Sequence, residues 1–326
     1  MPDPSPPLSH APVSVITTVF NESETIAALV DSLLVQTRPP DEIVVCDAGS
    51  TDGTYEQLTE RAASTPGLTV IQAPGNRSAG RNAAILAAAH DVIACIDGGC
   101  RAQPDWLVHL IAPFAEGAEF VAGFYRPAGD SPLSTAIGLI MVYVREEAES
   151  ADYLPSARSM AFTRAAWQAA GGFPEEVEFA EDTLFDEQMI AAGYRPAPAL
   201  DAVVEWSPPA TLTALAKTSY RWGKGDGLAG LRGTIYKRQL QVLATTAAVG
   251  VAALVYYPPA VVLPAGVVAV DVARRTRHKY RWAEGSSKYV LIPVAHLTAT
   301  LSGLSGFLAG RRQRSRTDLQ GGRTVT

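Results

Sequence analysis

Short strand-like runs rich in apolar and β-branched residues alternate with helically spaced apolar positions through the first half of the chain. Val13–Val19, Glu42–Cys46, Leu68–Ile71, Val92–Ile96 and the stretch 119–124 are strand-like, and the run at Val92 is apolar without alternation, as in a strand covered on both faces. Between the first two, Ile26, Leu29, Val30, Leu33 and Leu34 fall at helical spacing. Asn21 is placed to cap that helix with Glu24 as its reciprocal partner, and Arg38-Pro39-Pro40 stops it. A helix over 55–63 follows the second strand, and Pro104 opens another that carries Trp106, Leu107, Leu110 and Ile111. Strand and helix in alternation predict an α/β fold with a doubly wound, mostly parallel sheet.

After Arg126 the pattern loosens. An apolar helix is predicted over 137–144, then a short strand and helix in SARSMAFTRAAW. A helix entered at Glu181-Asp182 follows, then a strand at 203–206 and a helix over 211–222. In the last third the chain turns apolar, at 240–257, 260–270 and 289–309. A helix crossing a bilayer needs about 20 apolar residues; the third run meets that, the first comes close and the second is short. Basic residues flank all three, at Lys237-Arg238, Arg274 to Arg281 and Arg311 to Arg316, which predicts that the flanks stay on the cytoplasmic side. A hairpin through Pro258-Pro259 with a third helix in or on the bilayer satisfies this; the alternative is a soluble helical cap packed on a partner chain. The expected organisation is a disordered leader (1–12), a catalytic domain (13–232), membrane-associated helices (233–310) and a basic flexible tail (311–326).

Composition narrows the function. A net charge of -6 excludes a nucleic-acid-coating protein, and 47% hydrophobic residues exclude a disordered chain. The three cysteines, with no C-x-x-C, argue against a disulfide framework. Cys46 and Cys95 sit in strand runs as core residues, and Cys100, beside the glycines at 98 and 99, is a candidate exposed thiol. The five histidines show no metal-binding spacing.

Candidate chemistry gathers where strands end. Asn21 and Glu22, Asp47 with Asp52, and Asp97 each follow a predicted strand, so they fall along one edge of the sheet, where open α/β sheets bind ligands. Arg77 and Arg81 share one helical face. Carboxylates for ribose or base, arginines for phosphate and one carboxylate for a hard cation make a nucleoside-diphosphate site. Neither G-x-G-x-x-G nor G-x-x-x-x-G-K-[ST] is present. Glu181-Asp182 opens a helix, whose positive end favours ionised acids; such a carboxylate serves either as a helix cap or as a general base.

In order along the chain, VSVITTVFNESETI, VVCDAGSTDGT, GRNAAI, IDGGCRAQPDWL and AEDTLF resemble the inverting GT-A-fold glycosyltransferases of family 2. Within that family the chain looks most like the membrane-associated enzymes that build bacterial exopolysaccharides, such as the succinoglycan-type transferases. The resemblance implies a cytoplasmic catalytic domain at a bacterial inner membrane, a nucleotide-sugar donor (UDP-linked most often) and a lipid-linked or glycan acceptor. It places Phe20, Asn21, Glu22 and Asp47 at base and ribose. Asp97 stands at the first acid of D-x-D, near diphosphate and Mg2+ or Mn2+, and Asp182 at the base that deprotonates the acceptor. Arg221 and Trp222 fall where some members carry Q-x-x-R-W beside the acceptor. Two positions depart from the pattern: Gly99 replaces the second D-x-D acid, which implies a weakly held metal, and Thr218 replaces the glutamine. Two other readings remain: a non-catalytic sugar-nucleotide scaffold, favoured by Gly99, and a nucleotidyltransferase, which the acidic FNESET after the first strand disfavours.

Overall fold

In a computed structural model, described over residues 11–149, 153–256 and 262–321, the chain divides into two compact units. The first comprises Met1–Pro127 with Tyr143–Ser207, the second Ala128–Val142 with Pro208–Thr326. The proline-rich leader, apart from residues 11 and 12, and the Pro258-Pro259 hairpin lie outside the described residues.

The first unit is built on one sheet. Its strands are β1 (Val13–Val19), β2 (Glu42–Asp47), β3 (Leu68–Gln72), β4 (Val92–Cys95), β5 (Cys100–Ala102), β6 (Phe120–Pro127), β7 (Met160–Thr163) and β8 (Ala197–Trp206). They lie in the order β3-β2-β1-β4-β7-β6-β8-β5. From β3 to β4 every pairing is parallel. Beyond β4 the sheet is mixed: β7 runs antiparallel to β4 and β6, and β5 antiparallel to β8. Helices α1 (Ile26–Leu34), α2 (Thr54–Ser64), α3 (Arg77–Ala87) and α4 (Trp106–Ile111) make the crossovers. Alternate residues of β1 divide between two cores: Val13, Val15 and Val19 join Leu29, Leu33, Trp106 and Leu110 on one face. Ile16 joins Ile85, Phe162 and Phe185 on the other. Chain order reverses across β1, with β2 on one side and β4 on the other. The topological switch point, where a crevice opens, therefore lies between the ends of β1 and β4.

Several expectations are corrected here. Asn21 does not cap α1. Its backbone is left-handed, at φ 56°, and its Oδ1 accepts from the Thr51 amide at 2.9 Å; the first turn is closed instead by Glu22 O, which accepts from Thr25 N and Ile26 N. Cys100 is buried in β5, a strand too short for the apolar pattern to reveal. The helix expected over 137–144 is α5 (Pro132–Met141), begun by Ser131, whose hydroxyl accepts from Ser134 N. A separate turn, α6 (Arg145–Ala148), follows.

α7 (Arg164–Ala170) and α8 (Glu181–Ala191) complete the first unit's helices. The second unit takes α5 together with α9 (Leu212–Ala229), α10 (Gly233–Tyr256), α11 (Val262–Thr276) and α12 (Lys288–Gly321). α9 and α12 pack along a seam of glycines. A Cβ at Gly223 would meet the Gly303 backbone, one at Gly227 that of Phe307, and one at Gly306 that of Tyr220. Lys279 is buried and its Nζ donates to the carbonyls of Leu139, at 2.7 Å, and Val142, at 3.1 Å, closing the end of α5. Among the described residues two helices, α10 and α12, are long and apolar enough to cross a membrane. α12 continues through 311–321, where a flexible tail was expected, because arginine, glutamine and leucine in that segment are good helix formers.

Candidate active site

Two loops meet at the end of β1. Asp47, last residue of β2 and fully buried, accepts from the amides of Gly49 and Ser50, both at 3.0 Å, and from Gln72 Nε2 at 3.1 Å. It thereby shapes the AGSTDGT turn, in which Gly49 and Gly53 take φ values of 95° and 93° that other residues rarely adopt. The β1–α1 loop is tied to this turn bond by bond. Asn21 N donates to Ser50 Oγ at 2.9 Å, Glu22 N to Thr54 Oγ1 at 2.8 Å and Ser23 N to Asp52 Oδ2 at 3.0 Å. The Asp52 carboxyl is held well below its usual range by the Thr54 hydroxyl and the Ser23 and Thr54 amides. The ring of Phe20 is left exposed on this rim.

Across the switch point stands a charged cluster. Arg81 is buried on α3, where Gly80 lets the helix press against Thr18 of β1. Its Nη2 donates to Asp97 Oδ1 at 2.7 Å and its Nη1 to Glu181 Oε1 at 3.0 Å. Glu181 points inward because it precedes Phe185 and Met189 on the buried stripe of α8, and Phe185 stacks on Phe173 with centroids 4.0 Å apart. The loop before α8 is tied to α3: Asn76 Nδ2 donates to the carbonyls of Glu175 and Val177, and Asn82 Nδ2 to that of Phe173. Arg77, one turn from Arg81, is 58% exposed and 4.0 Å from Glu181, so of the two arginines it is the one left to face a ligand. Burial would raise the Asp97 carboxyl; Arg81, Arg158 and Arg77 outweigh that and hold it below its usual range.

Arg158 and Ser156 are residues that sequence reasoning missed. The Arg158 guanidinium lies 5.0 Å from the Tyr125 ring centroid and 4.9 Å from that of Trp206. Its Nη1 donates to Ser156 Oγ at 3.1 Å, and Ser156 Oγ donates to Asp182 Oδ2 at 3.2 Å; Asp182 Oδ1 accepts from Thr183 N at 2.8 Å. The available signal was a lone arginine two residues ahead of the MAFT strand. Asp97, Glu181 and Asp182 are thus gathered with Arg77, Arg81 and Arg158, three acids with three bases. Asp47 stands two strands away, about 10 Å along the sheet edge. Arg221 and Trp222 belong to α9 of the second unit.

A cation would find limited protein ligation. One Asp97 oxygen is committed to Arg81, and no group of three or more His, Cys, Asp or Glu placed to hold a metal occurs among the described residues. The donor set suits a hard ion that also takes oxygens from a bound diphosphate.

Residues 14–162 match the family model of glycosyl transferase family 2. The undecaprenyl-phosphate 4-deoxy-4-formamido-L-arabinose transferase of Pectobacterium carotovorum is 35% identical over 116 residues, covering 33% of this chain and 35% of that protein. The chain thus spans about a third of the length of this relative. Glycosyltransferase AglE of Haloferax volcanii is 26% identical over 223 residues, 66% of this chain and 72% of the relative. Among solved structures, the mannosyltransferase PcManGT of Pyrobaculum calidifontis, in complex with GDP-Man and Mn2+, superposes with a TM-score of 0.56 at 18% identity. It covers 93% of this chain and 89% of that one. The GT-A-like fold expected from the motifs is the one the chain has.

Proposed function

We propose that this chain is an inverting glycosyltransferase that moves a sugar from a nucleoside-diphosphate carrier to an oxygen of a lipid-linked acceptor at a membrane, in cell-surface glycan synthesis. The observation that carries this reading is the convergence, at the switch point, of an arginine-held carboxylate (Asp97) with a second carboxylate fixed at a helix start (Asp182).

In this reading the nucleoside lies along the rim of Phe20, Asn21, Glu22, Asp47 and Asp52. Asp47 and Asp52 act by fixing the turn, and the exposed Phe20 ring offers a stacking face. Arg77 meets the diphosphate. The free side of Asp97 would hold Mg2+ or Mn2+, which when bound offsets charge on the leaving diphosphate. Support for the ion comes from PcManGT, solved with Mn2+. Asp182 takes the proton of the acceptor hydroxyl. As that oxygen bonds to the anomeric carbon, the bond from that carbon to the diphosphate breaks on the opposite face and the configuration inverts. Glu181 serves by holding Arg81. The apolar helices α10 and α12 keep the enzyme at the bilayer, which concentrates a lipid-linked acceptor. One relative, an undecaprenyl-phosphate sugar transferase, supports a lipid-borne acceptor.

The test uses full-length protein in detergent micelles with bacterial lipid extract and Mn2+. A panel of UDP-glucose, UDP-galactose, GDP-mannose and dTDP-rhamnose is assayed for nucleoside-diphosphate release, with UDP the first carrier to try. Asp182→Asn should lower turnover about 10²- to 10⁴-fold while UDP or GDP binding, by calorimetry, stays within about twofold. Unchanged turnover refutes the assignment of the base. Recovery of the full chain in the soluble fraction after cell lysis refutes the membrane placement.

A further inference from the structure

We propose that Ser156 and Arg158 form a positioning relay that aims the Asp182 carboxylate at the acceptor, a role that rests on the transferase reading above. A serine hydroxyl has one hydrogen and can rotate it toward any acceptor. Here Arg158 removes that freedom. A guanidinium only donates, so its bond to Ser156 Oγ fills an acceptor site on the oxygen and leaves the hydroxyl hydrogen for Asp182 Oδ2. Thr183 N occupies the other carboxylate oxygen. With one donor on each oxygen, rotation of the carboxylate about its Cβ–Cγ bond is opposed.

The relay itself is anchored. Ser156 and Ser159 bridge in a tight turn, with Ser159 N donating to Ser156 O at 2.8 Å. Ser159 Oγ accepts from Trp106 Nε1 at 2.9 Å and donates to Ala202 O at 3.1 Å, which pins the turn to α4 and β8. Arg158 is held between the Tyr125 and Trp206 rings, on β6 and β8. The sheet thus fixes the arginine, the arginine the serine, and the serine the carboxylate. Burial alone would pull the Arg158 guanidinium down, but Tyr125, Asp97 and Asp182 hold it up, so it stays a donor throughout turnover.

The experiment measures turnover and UDP or GDP binding for Ser156→Ala, Ser156→Thr, Arg158→Met, Arg158→Lys and the double variant Ser156→Ala/Arg158→Met. Ser156→Ala and Arg158→Met should each lower kcat roughly ten- to a hundredfold, the worth of a hydrogen bond to a charged group, with donor KM and diphosphate Kd within about twofold. Ser156→Thr and Arg158→Lys, which keep hydroxyl and donor, should recover most of the loss. Links in series predict a double variant no slower than the slower single one. The relay is overturned if Ser156→Ala keeps full kcat, or if Arg158→Met weakens diphosphate binding tenfold at unchanged kcat, which would make Arg158 a phosphate ligand. If instead Asp182→Asn itself retains turnover, the transferase assignment of Asp182 fails and the relay with it.

Discussion

Removing the Arg81 guanidinium while keeping its bulk, as Arg81→Met, tests the charged cluster directly. Arg81 and Glu181 are both buried, and Asp97 keeps 27% of its side chain exposed. In the variant Asp97 regains water on its open side, but Glu181 loses its partner at 3.0 Å and keeps only the exposed Arg77 at 4.0 Å. An exposed partner at that distance contributes little, whereas stranding a buried charge costs about 3–5 kcal/mol. For a unit of this size each kcal/mol moves Tm by about 2–4 °C, so the expected fall is about 6–20 °C. Tryptophan fluorescence reads it through Trp106, Trp167 and Trp206, all in the first unit. The double variant Arg81→Met/Glu181→Met removes both buried charges and should recover most of the loss, because a buried pair exchanged for apolar residues of similar volume is near neutral. A single variant within about 1 kcal/mol of the parent, or a double variant less stable than the single, refutes the argument.

Acid offers an independent probe of the same cluster, through Asp97. The folded Asp97 carboxyl is held below the ordinary value of 3.8, so its contribution is complete above that pH and is lost as the pH falls through the lower folded value. The parent should therefore lose more stability between pH 5 and 2 than Arg81→Met does, read by urea titration at each pH (about 1.4 kcal/mol per unit of pKa difference). Asp52→Ala should open the bonds from Ser23 and Thr54 and weaken UDP binding about tenfold with little change in kcat, read by calorimetry. Gly80→Val should cost about 1–3 kcal/mol in chemical unfolding, since its side chain would drive into Thr18. Gly306→Leu should disrupt the α9–α12 seam and lower Tm in micelles by several degrees, whereas Gly266→Leu, where a Cβ meets nothing nearby, should not.

Much of the first unit was legible because its strands are rich in apolar and β-branched residues and are bounded by glycine, proline or acid. Val13–Val19 needed no tertiary information, and Asp47 and Asp97 fall where those runs end. What escaped depended on partners distant in sequence. Asn21 carries the local signature of a helix cap, but an amide 30 residues away in sequence claims its side chain. The strand at Cys100–Ala102 is too short to show a period and exists because β8 pairs with it. Arg158 reads as an ordinary surface cation until Tyr125 and Trp206 close on it from other strands. The arginines at 77 and 81 were recognised as a pair, but only coordinates show that one is spent inside the protein and the other faces outward. The segment from Arg311 onward was read as flexible for its charge, although arginine-rich sequence propagates a helix well.

The seam between α9 and α12 has a bearing on how the second unit is assembled. At Gly223, Gly227, Gly306 and Gly310 main-chain atoms approach closely, and toward the start of both helices Leu215 packs in one apolar cluster with Ala295. Because no side chain fits at these contacts, the glycines set the register in which the two helices meet, and a larger residue at any one of them would push the axes apart along the whole joint.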